Sequence, residues 1–188
     1  MRIGNAILLM SQSQQVQMYT NGISNGNFEN NLNNWESYIN NGITFTIETS
    51  PVYVGTGALK GIGTLSSVAT IYRQAKSFVS GHKYFLSVWG NTIANNATNT
   101  GIRIYSGGTV KTTIYLTFSS INTWLRSSNI YIADGTENYI AVSIAETVAN
   151  TTYLDGVICL DLTAIFGVGN EPDLTWCNAN ITKDNITW

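Results

Sequence analysis

The chain has 188 residues, a formal net charge of −2 and only 11% charged residues, against about 25% in an average soluble domain. Its polarity comes from Asn, Thr, Ser and Gly, which suits strands with amide- and hydroxyl-rich outer faces and argues against a helical bundle. The weak negative charge supplies no basic patch for nucleic acid, and no run approaches the 18 apolar residues of a membrane span.

Met1 to Thr20 does not alternate cleanly and carries no turn signals; it reads as a short helix or, in preference, an extended N-terminal arm (residues 1–20) that becomes ordered against a neighbour. Its apolar patch, Ile7 to Met10, is too short for the core of a secretory signal, and SQSQQ follows it without a cleavage site. From Asn21 the stretch NGISNGNFENNLNNW is dense in residues that accept left-handed turns. Segments of period two follow. Ile43, Phe45 and Ile47 alternate with Thr44, Thr46 and Glu48, and Gly55 to Gly63 reads as a corner around Leu59. Val68 to Gln74 is a strand. Tyr84, Leu86 and Val88 oppose Phe85, Ser87 and Trp89; Ile102 and Ile104 oppose Arg103 and Tyr105; Ile114 and Leu116 oppose Thr113 and Tyr115. Strands at Ile130, Tyr139 and Tyr153 complete about eight. Short strands separated by turn signals, with no amphipathic helix, predict an all-β, antiparallel two-sheet β-sandwich of the jelly-roll type over residues 21–162. After it, Asp161 is placed to cap a turn over Leu162 to Phe166. Gly167 and Gly169 permit the exit from that turn, and Pro172 is suited to start another. Residues 163–188 form a short helical or irregular tail.

The chemistry-bearing residues do not assemble a catalytic signature. His82 is the single histidine and lies in a turn, no Ser or Cys has a nucleophile context, and the Cys and His count excludes a zinc-type site. Glu29, Glu36, Glu48, Glu146 and Asp155 are available as carboxylates, but the sequence does not pair any two of them across a cleft. A non-enzymatic protein is therefore expected. Cys159 and Cys177 are expected as free thiols. With Leu86, Val88, Ile104, Ile114 and Leu116 facing the core, Trp89, Tyr105 and Tyr115 face away from it on strands taken as neighbours. Trp35 and Trp124 are expected to plug the ends of the sandwich.

Two resemblances bear on function. DLTAIFGVGNEP, through Asp161, Leu162, Thr163, Phe166, Gly167, Gly169, Asn170, Glu171 and Pro172, resembles a motif at the C-terminal end of jelly-roll modules in bacteriophage tail, baseplate and fibre proteins. More broadly, residues 21–162 resemble the carbohydrate-binding jelly rolls appended to polysaccharide hydrolases. Asn25, Gly26, Phe28, Glu29 and Trp35 match the opening pattern, with Asn34 where Gly is common. Gly57, Leu59 and Lys60 match the corner, Gly81, Tyr84, Ser87 and Trp89 a following strand, and Trp124 a later strand-leading position. Tyr153, Asp155 and Val157 match the close, with Gly156 where a second Asp is frequent.

The second resemblance implies that such outward-facing rings stack on the apolar faces of sugars while Arg103 and Asn91 serve the hydrogen-bonding edges, which makes Trp89, Tyr105, Tyr115, Arg103 and Asn91 the candidate carbohydrate-binding residues. The alternative is that they are ordinary strand residues or pack against a neighbouring subunit. The same resemblance implies a structural calcium ion held by Glu29 and Asp155 with carbonyls near Asn27 and in the Gly55 to Lys60 corner, a ligand set of the hard oxygens calcium prefers; the alternative is that the two carboxylates accept from loop amides or face solvent. Together the resemblances imply a non-enzymatic structural component of a bacteriophage virion (head decoration, neck, tail or fibre) that contributes to host-surface or glycan attachment. The alternative is a carbohydrate-binding module of a secreted polysaccharide-degrading system. The expected partners are other virion proteins, copies of this chain in a homo-oligomer and a host glycan, with neither nucleic acid nor membrane. Leu174, Trp176, Ile181, Ile186 and Trp188 have no assigned sheet to cover them, so the termini are expected to dock on a partner.

Overall fold

The period-two segments become two antiparallel sheets in a computed structural model that describes residues 16–63, 66–94, 97–146 and 150–188. In chain order the described strands are β1 (Tyr19–Thr20), β2 (Glu36–Ile39), β3 (Ile43–Glu48), β4 (Ala58–Gly63), β5 (Ser66–Ala75) and β6 (Lys83–Thr92). They continue with β7 (Ala97–Ser106), β8 (Thr109–Tyr115), β9 (Leu125–Ile132), β10 (Tyr139–Glu146) and β11 (Asn150–Asp161). Helices α1 (Leu162–Phe166) and α2 (Leu174–Asn180), a 3-10 turn at Lys183–Asn185 and β12 (Ile186–Thr187) close the chain. The first sheet runs β2-β5-β10-β7-β8 and the second β3-β4-β11-β6-β9, while β1 and β12 pair in parallel beside them.

Their inner faces enclose the main core, in which Leu86, Val88, Ile104, Ile114, Ile140 and Val142 are buried as the alternation requires. Phe28 and Trp35 close one end of it, with ring centroids 5.7 Å apart, and the Trp35 indole N–H donates to the Asn25 carbonyl. Asn25, Asn31 and Asn34 take positive φ in that turn, as an Asn-rich stretch allows. Trp124 does not plug an end: it packs 5.9 Å from Tyr53 on the outside of the second sheet.

The strand count differs from expectation. β2 and β4 were missed because β2 has only four residues and β4 contains two glycines, so neither shows clean alternation. The Gly55 to Gly63 corner is a turn followed by a strand, in which Leu59 pairs with Ile47 and Leu154.

The phage-like motif forms a latch between β6 and the tail. Asp161 caps α1 by accepting from the Ala164 N–H, as its position predicts, and its carboxylate also meets His82 Nδ1 at 2.9 Å. The Thr163 hydroxyl accepts from the Lys83 N–H and donates to Glu171, which also accepts from the Gly169 N–H and the Lys83 ammonium. The Thr163 hydroxyl, followed by backbone and Lys83 contributions, lowers the Glu171 pKa to about 2. Pro172 does not open a helix; Asp173 caps α2, accepting from the Trp176 N–H.

The tail then turns back onto the outer face of the second sheet. Cys177, Ile181 and Ile186 are buried there against Phe85, Trp89, Ile158 and Leu160, with Tyr19 beside them. This corrects the expectation that the tail lacks a sheet to cover it. Leu174 and Trp188 pack against the same cluster, while Trp176, edge-on to Phe166, stays 37% exposed. Of the N-terminal arm, residues 1–15 lie outside the described residues, and β1 joins the tail through β12. Cys159 and Cys177 are buried free thiols, and burial raises the pKa of each.

Candidate functional site

The five sequence-nominated carbohydrate residues separate onto opposite sides of the sandwich. β6 and β7 are not neighbours: β6 lies in the second sheet between β11 and β9, β7 in the first between β10 and β8. Trp89 and Asn91 therefore face away from Arg103, Tyr105 and Tyr115.

Trp89 is 5% exposed and lies under the tail. Tyr53 stacks on it with centroids 4.5 Å apart, and the Arg126 guanidinium sits 4.5 Å from its ring centre. Arg126 is fully engaged, donating to the Ser87 hydroxyl and to the carbonyls of Asn178 and Ile181. Burial pulls its pKa down, with Tyr53 and Cys177 opposing. Gly156 completes this packing: it has φ +59 at an irregularity of β11, and a side chain there would press on Trp89 at 3.0 Å. That contact is a physical reason for glycine where the resembling modules often carry Asp.

The outer face of the first sheet has a different character. Register places Glu36, Arg73, Ala141, Arg103 and Thr113 in one row across β2, β5, β10, β7 and β8. The next row toward one end holds Ala75, Tyr139 and Tyr105; toward the other it holds Ile39, Ile71, Ser143, Gly101 and Tyr115. Among the described residues, its apolar cluster is built from the sheet's own strands. Tyr38, the extra residue at a β2 irregularity, reaches over the face to meet Tyr105 edge-on at 5.6 Å. The Arg73 guanidinium is held between Tyr38 and Tyr139, 3.9 and 3.8 Å from their centres, and pairs with Glu36 at 2.8 Å. A depression of about 370 Å³ opens at this end, lined by Glu36, Ala75 and Tyr139 among others.

At the other end the floor is low. Gly101 is obligatory, because a Cβ there would overlap the Ile114 carbonyl. Around it lie Ser143, which is fully buried, Thr113 and Tyr115, which is 46% exposed. Tyr105, by contrast, is buried under Tyr38. Arg103 rises between the two ends, and among the described residues it has no ion pair and no hydrogen-bond partner. Its Nε is the one buried side-chain polar atom left without a partner among those residues, an omission that costs about 1–3 kcal/mol.

Tyr38, Arg73 and Tyr139 were not singled out from the sequence. Tyr139 and Arg73 had the right strand phase to be found, whereas Tyr38 belongs to the unrecognised β2.

Glu29 and Asp155 both serve the 53–57 loop. Asp155 Oδ2 accepts from the N–H groups of Tyr53 and Val54, and its Oδ1 from that of Gly156. Glu29 accepts from the N–H groups of Thr56 and Gly57 and from the Thr56 hydroxyl. Gly55, between the two clamps, has φ +69 and leaves no room for a side chain against Glu29. Burial pushes the Glu29 pKa up, but its donors outweigh this and hold it below the ordinary value. Asp155 is fully buried, and burial drives its pKa up to about 7 against the pull of its three amides, with Glu29 adding to the rise. Calcium requires six to eight oxygens. Here amide hydrogens occupy the carboxylate oxygens, and among the described residues no group of three or more Asp, Glu, His or Cys side chains comes together. This donor set fits a backbone clamp and does not fit a calcium cage.

The fold is shared with carbohydrate-binding modules. A structure described as a family 16 carbohydrate-binding module superposes with a TM-score of 0.56 at 18% identity, covering 74% of this chain and 99% of that one. TmCBM61, solved in complex with β-1,4-galactotriose, gives a TM-score of 0.58 at 14% identity, covering 75% of this chain and 98% of the other. The enzymatically active domain of tailspike protein 4 from bacteriophage CBA120 gives 0.56 at 15% identity over 74% of this chain, which spans 21% of that chain. No protein-family model matches the sequence, and no curated protein matches it.

Proposed function

We propose that this protein is a non-enzymatic glycan-binding module and that the outer face of the first sheet is its binding surface. The observation that carries this reading is the face itself. Exposed Tyr115, unpartnered Arg103 and the Tyr38–Arg73–Tyr139 stack stand together on it. Aromatic faces beside hydrogen-bond donors match the alternating apolar and polar surfaces of a sugar ring. Galactotriose bound to TmCBM61, and xylohexaose bound to a Clostridium thermocellum xylanase that contains a related module, support the class of ligand.

The proposed setting is a bacteriophage virion, where the module attaches the particle to a host-surface glycan alongside other virion proteins. The 161–172 motif and the likeness to a phage tailspike domain support that setting. A module of a secreted polysaccharide-degrading system is the second reading, favoured by the near-complete coverage of isolated carbohydrate-binding modules. Affinity electrophoresis of the wild type and Tyr115→Ala against a polysaccharide panel tests the binding surface: retardation by at least one polymer should weaken at least tenfold in the variant. Antibody labelling of purified phage particles separates the two settings.

A further inference from the structure

We propose that the depression at the β2 end of this face is a sugar subsite, and that it seats one neutral pyranose unit whose hydroxyls meet Glu36 and Asn34. The inference rests on the glycan-binding reading above and adds the place and the class of one sugar. Ala75 is exposed there and pairs in register with Tyr139 on one side. On the other side Asn34 and Glu36, at the entry to the edge strand β2, complete the rim. The space of about 370 Å³ lies at the small end of ligand sites, which run from about 300 to 1,000 Å³, and so suits a single ring.

The base of the depression is already satisfied. The Trp35 indole N–H donates to the Asn25 carbonyl, and the Gln74 amide exchanges two hydrogen bonds with the backbone of Ser24. The rim has capacity left. Arg73 Nε donates to one oxygen of Glu36, and among the described residues the second oxygen has no donor. The exposed Asn34 side chain makes no hydrogen bond among those residues. Glu36 is also held in place, because Arg73 grips it at 2.8 Å and is itself clamped between Tyr38 and Tyr139.

This arrangement selects the sugar. A carboxylate oxygen accepts strongly from a hydroxyl, and an amide beside it both donates and accepts, so adjacent ring hydroxyls are the matching group. Ala75 and Tyr139 take the apolar C–H face. Arg73 balances the charge of Glu36, which leaves the subsite without net charge. The oxygen still open is nevertheless that of an anion, and a sugar carboxylate would meet like charge there. Tyr115 lies three strand spacings across and four residues along, roughly 20 Å away, and so contacts a different unit of the same glycan.

The test uses the full chain in affinity electrophoresis. The neutral probes are β-1,4-galactan, xylan and glucomannan, and the acidic ones polygalacturonate and alginate. At least one neutral polymer should retard the wild type more strongly than either acidic polymer does. Ala75→Phe fills the depression from an exposed strand position without touching a polar group, and should weaken that binding at least tenfold. Glu36→Gln should weaken it at least threefold. Asn34→Gly, which keeps the positive φ of its position, should do the same. Circular dichroism checks that each variant folds, and Ala75→Phe decides alone if Glu36→Gln loosens Arg73. Undiminished binding by Ala75→Phe, while Tyr115→Ala still weakens it, overturns the subsite and leaves the glycan surface standing. Retardation by the acidic polymers alone overturns the neutral class. Retardation by none of the polymers overturns both the subsite and the surface.

Discussion

Arg126 and Arg103 each rise from the outer face of one sheet, on opposite sides of the same sandwich. Around Arg126 the chain supplies two carbonyls, a hydroxyl, an aromatic face and a covering tail. Around Arg103 it supplies small residues and one exposed tyrosine, and leaves a buried N–H without a partner. The first arrangement is what a structural arginine needs in order to be buried without loss. The second leaves one N–H unanswered at a cost of about 1–3 kcal/mol, and with Tyr115 exposed beside it this face, not the one under the tail, is assigned to binding.

Removing the cover is the harshest way to break this contrast. Deleting residues 173–188 strips Cys177, Ile181 and Ile186 from the second sheet, each large apolar side chain contributing about 1.5–3 kcal/mol when fully buried. The total is comparable to the whole stability of a domain, about 5–15 kcal/mol. The truncated chain is expected to lose its cooperative urea transition by tryptophan fluorescence; an unchanged midpoint would mean that the tail is an appendage. Trp89→Ala acts on the same face from below. It should destabilise by about 3–5 kcal/mol while leaving glycan affinity of the folded protein unchanged.

Exchanging the two arginines for methionine gives the closest comparison. Arg126→Met orphans two carbonyls and should cost about 1.5–3 kcal/mol. Arg103→Met removes an unsatisfied donor and should stay within about 1 kcal/mol of wild type, or gain. Equal losses in chemical denaturation would erase the distinction between the faces.

Much of the fold was legible because its strands alternate. Tyr84, Leu86 and Val88 against Phe85, Ser87 and Trp89 gave the phase of β6 correctly, and Asp161 announced the cap of α1. What alternation does not carry is which sheet a strand joins. The side-chain period of β6 and β7 is the same in either sheet, so Trp89 and Tyr105 could be called outward-facing without revealing that they point to opposite sides. The tail was illegible for a related reason: Ile181 and Ile186 show apolar residues in need of cover, but the cover comes from β6 and β11, distant in sequence. Glu29 and Asp155 accept from backbone N–H groups of one loop, the alternative to calcium, and a side-chain pattern does not choose between the two.

That loop supplies two smaller effects. Burial raises the Asp155 pKa to about 7 from an ordinary value of 3.8, so the native state binds the extra proton between those values. By linkage, its contribution to stability is lost as pH rises from about 4 to about 7. Asp155→Asn, which stays neutral, should flatten that part of the stability–pH curve; a wild-type curve rising through the window, unchanged in the variant, would contradict it. The smallest effect concerns calcium. Since a ligand stabilises only what binds it, EDTA or millimolar calcium should move the melting temperature by less than about 1 °C, and a larger calcium-dependent rise would show that a cation replaces the amide donors.

The central claim is that glycan meets the first sheet and not the second. Amide and indole chemical-shift mapping of the full chain tests it most directly, with β-1,4-galactotriose, xylohexaose and an oligogalacturonate titrated one at a time. The predicted result, for whichever sugar binds, is a contiguous set of shifts at Gly101, Arg103, Thr113, Tyr115 and Ser143, with the Trp89 and Trp124 indoles unmoved. Shifts concentrated at Tyr53, Trp89 and Trp124, with the first sheet silent, would contradict it and place the binding surface beneath the tail.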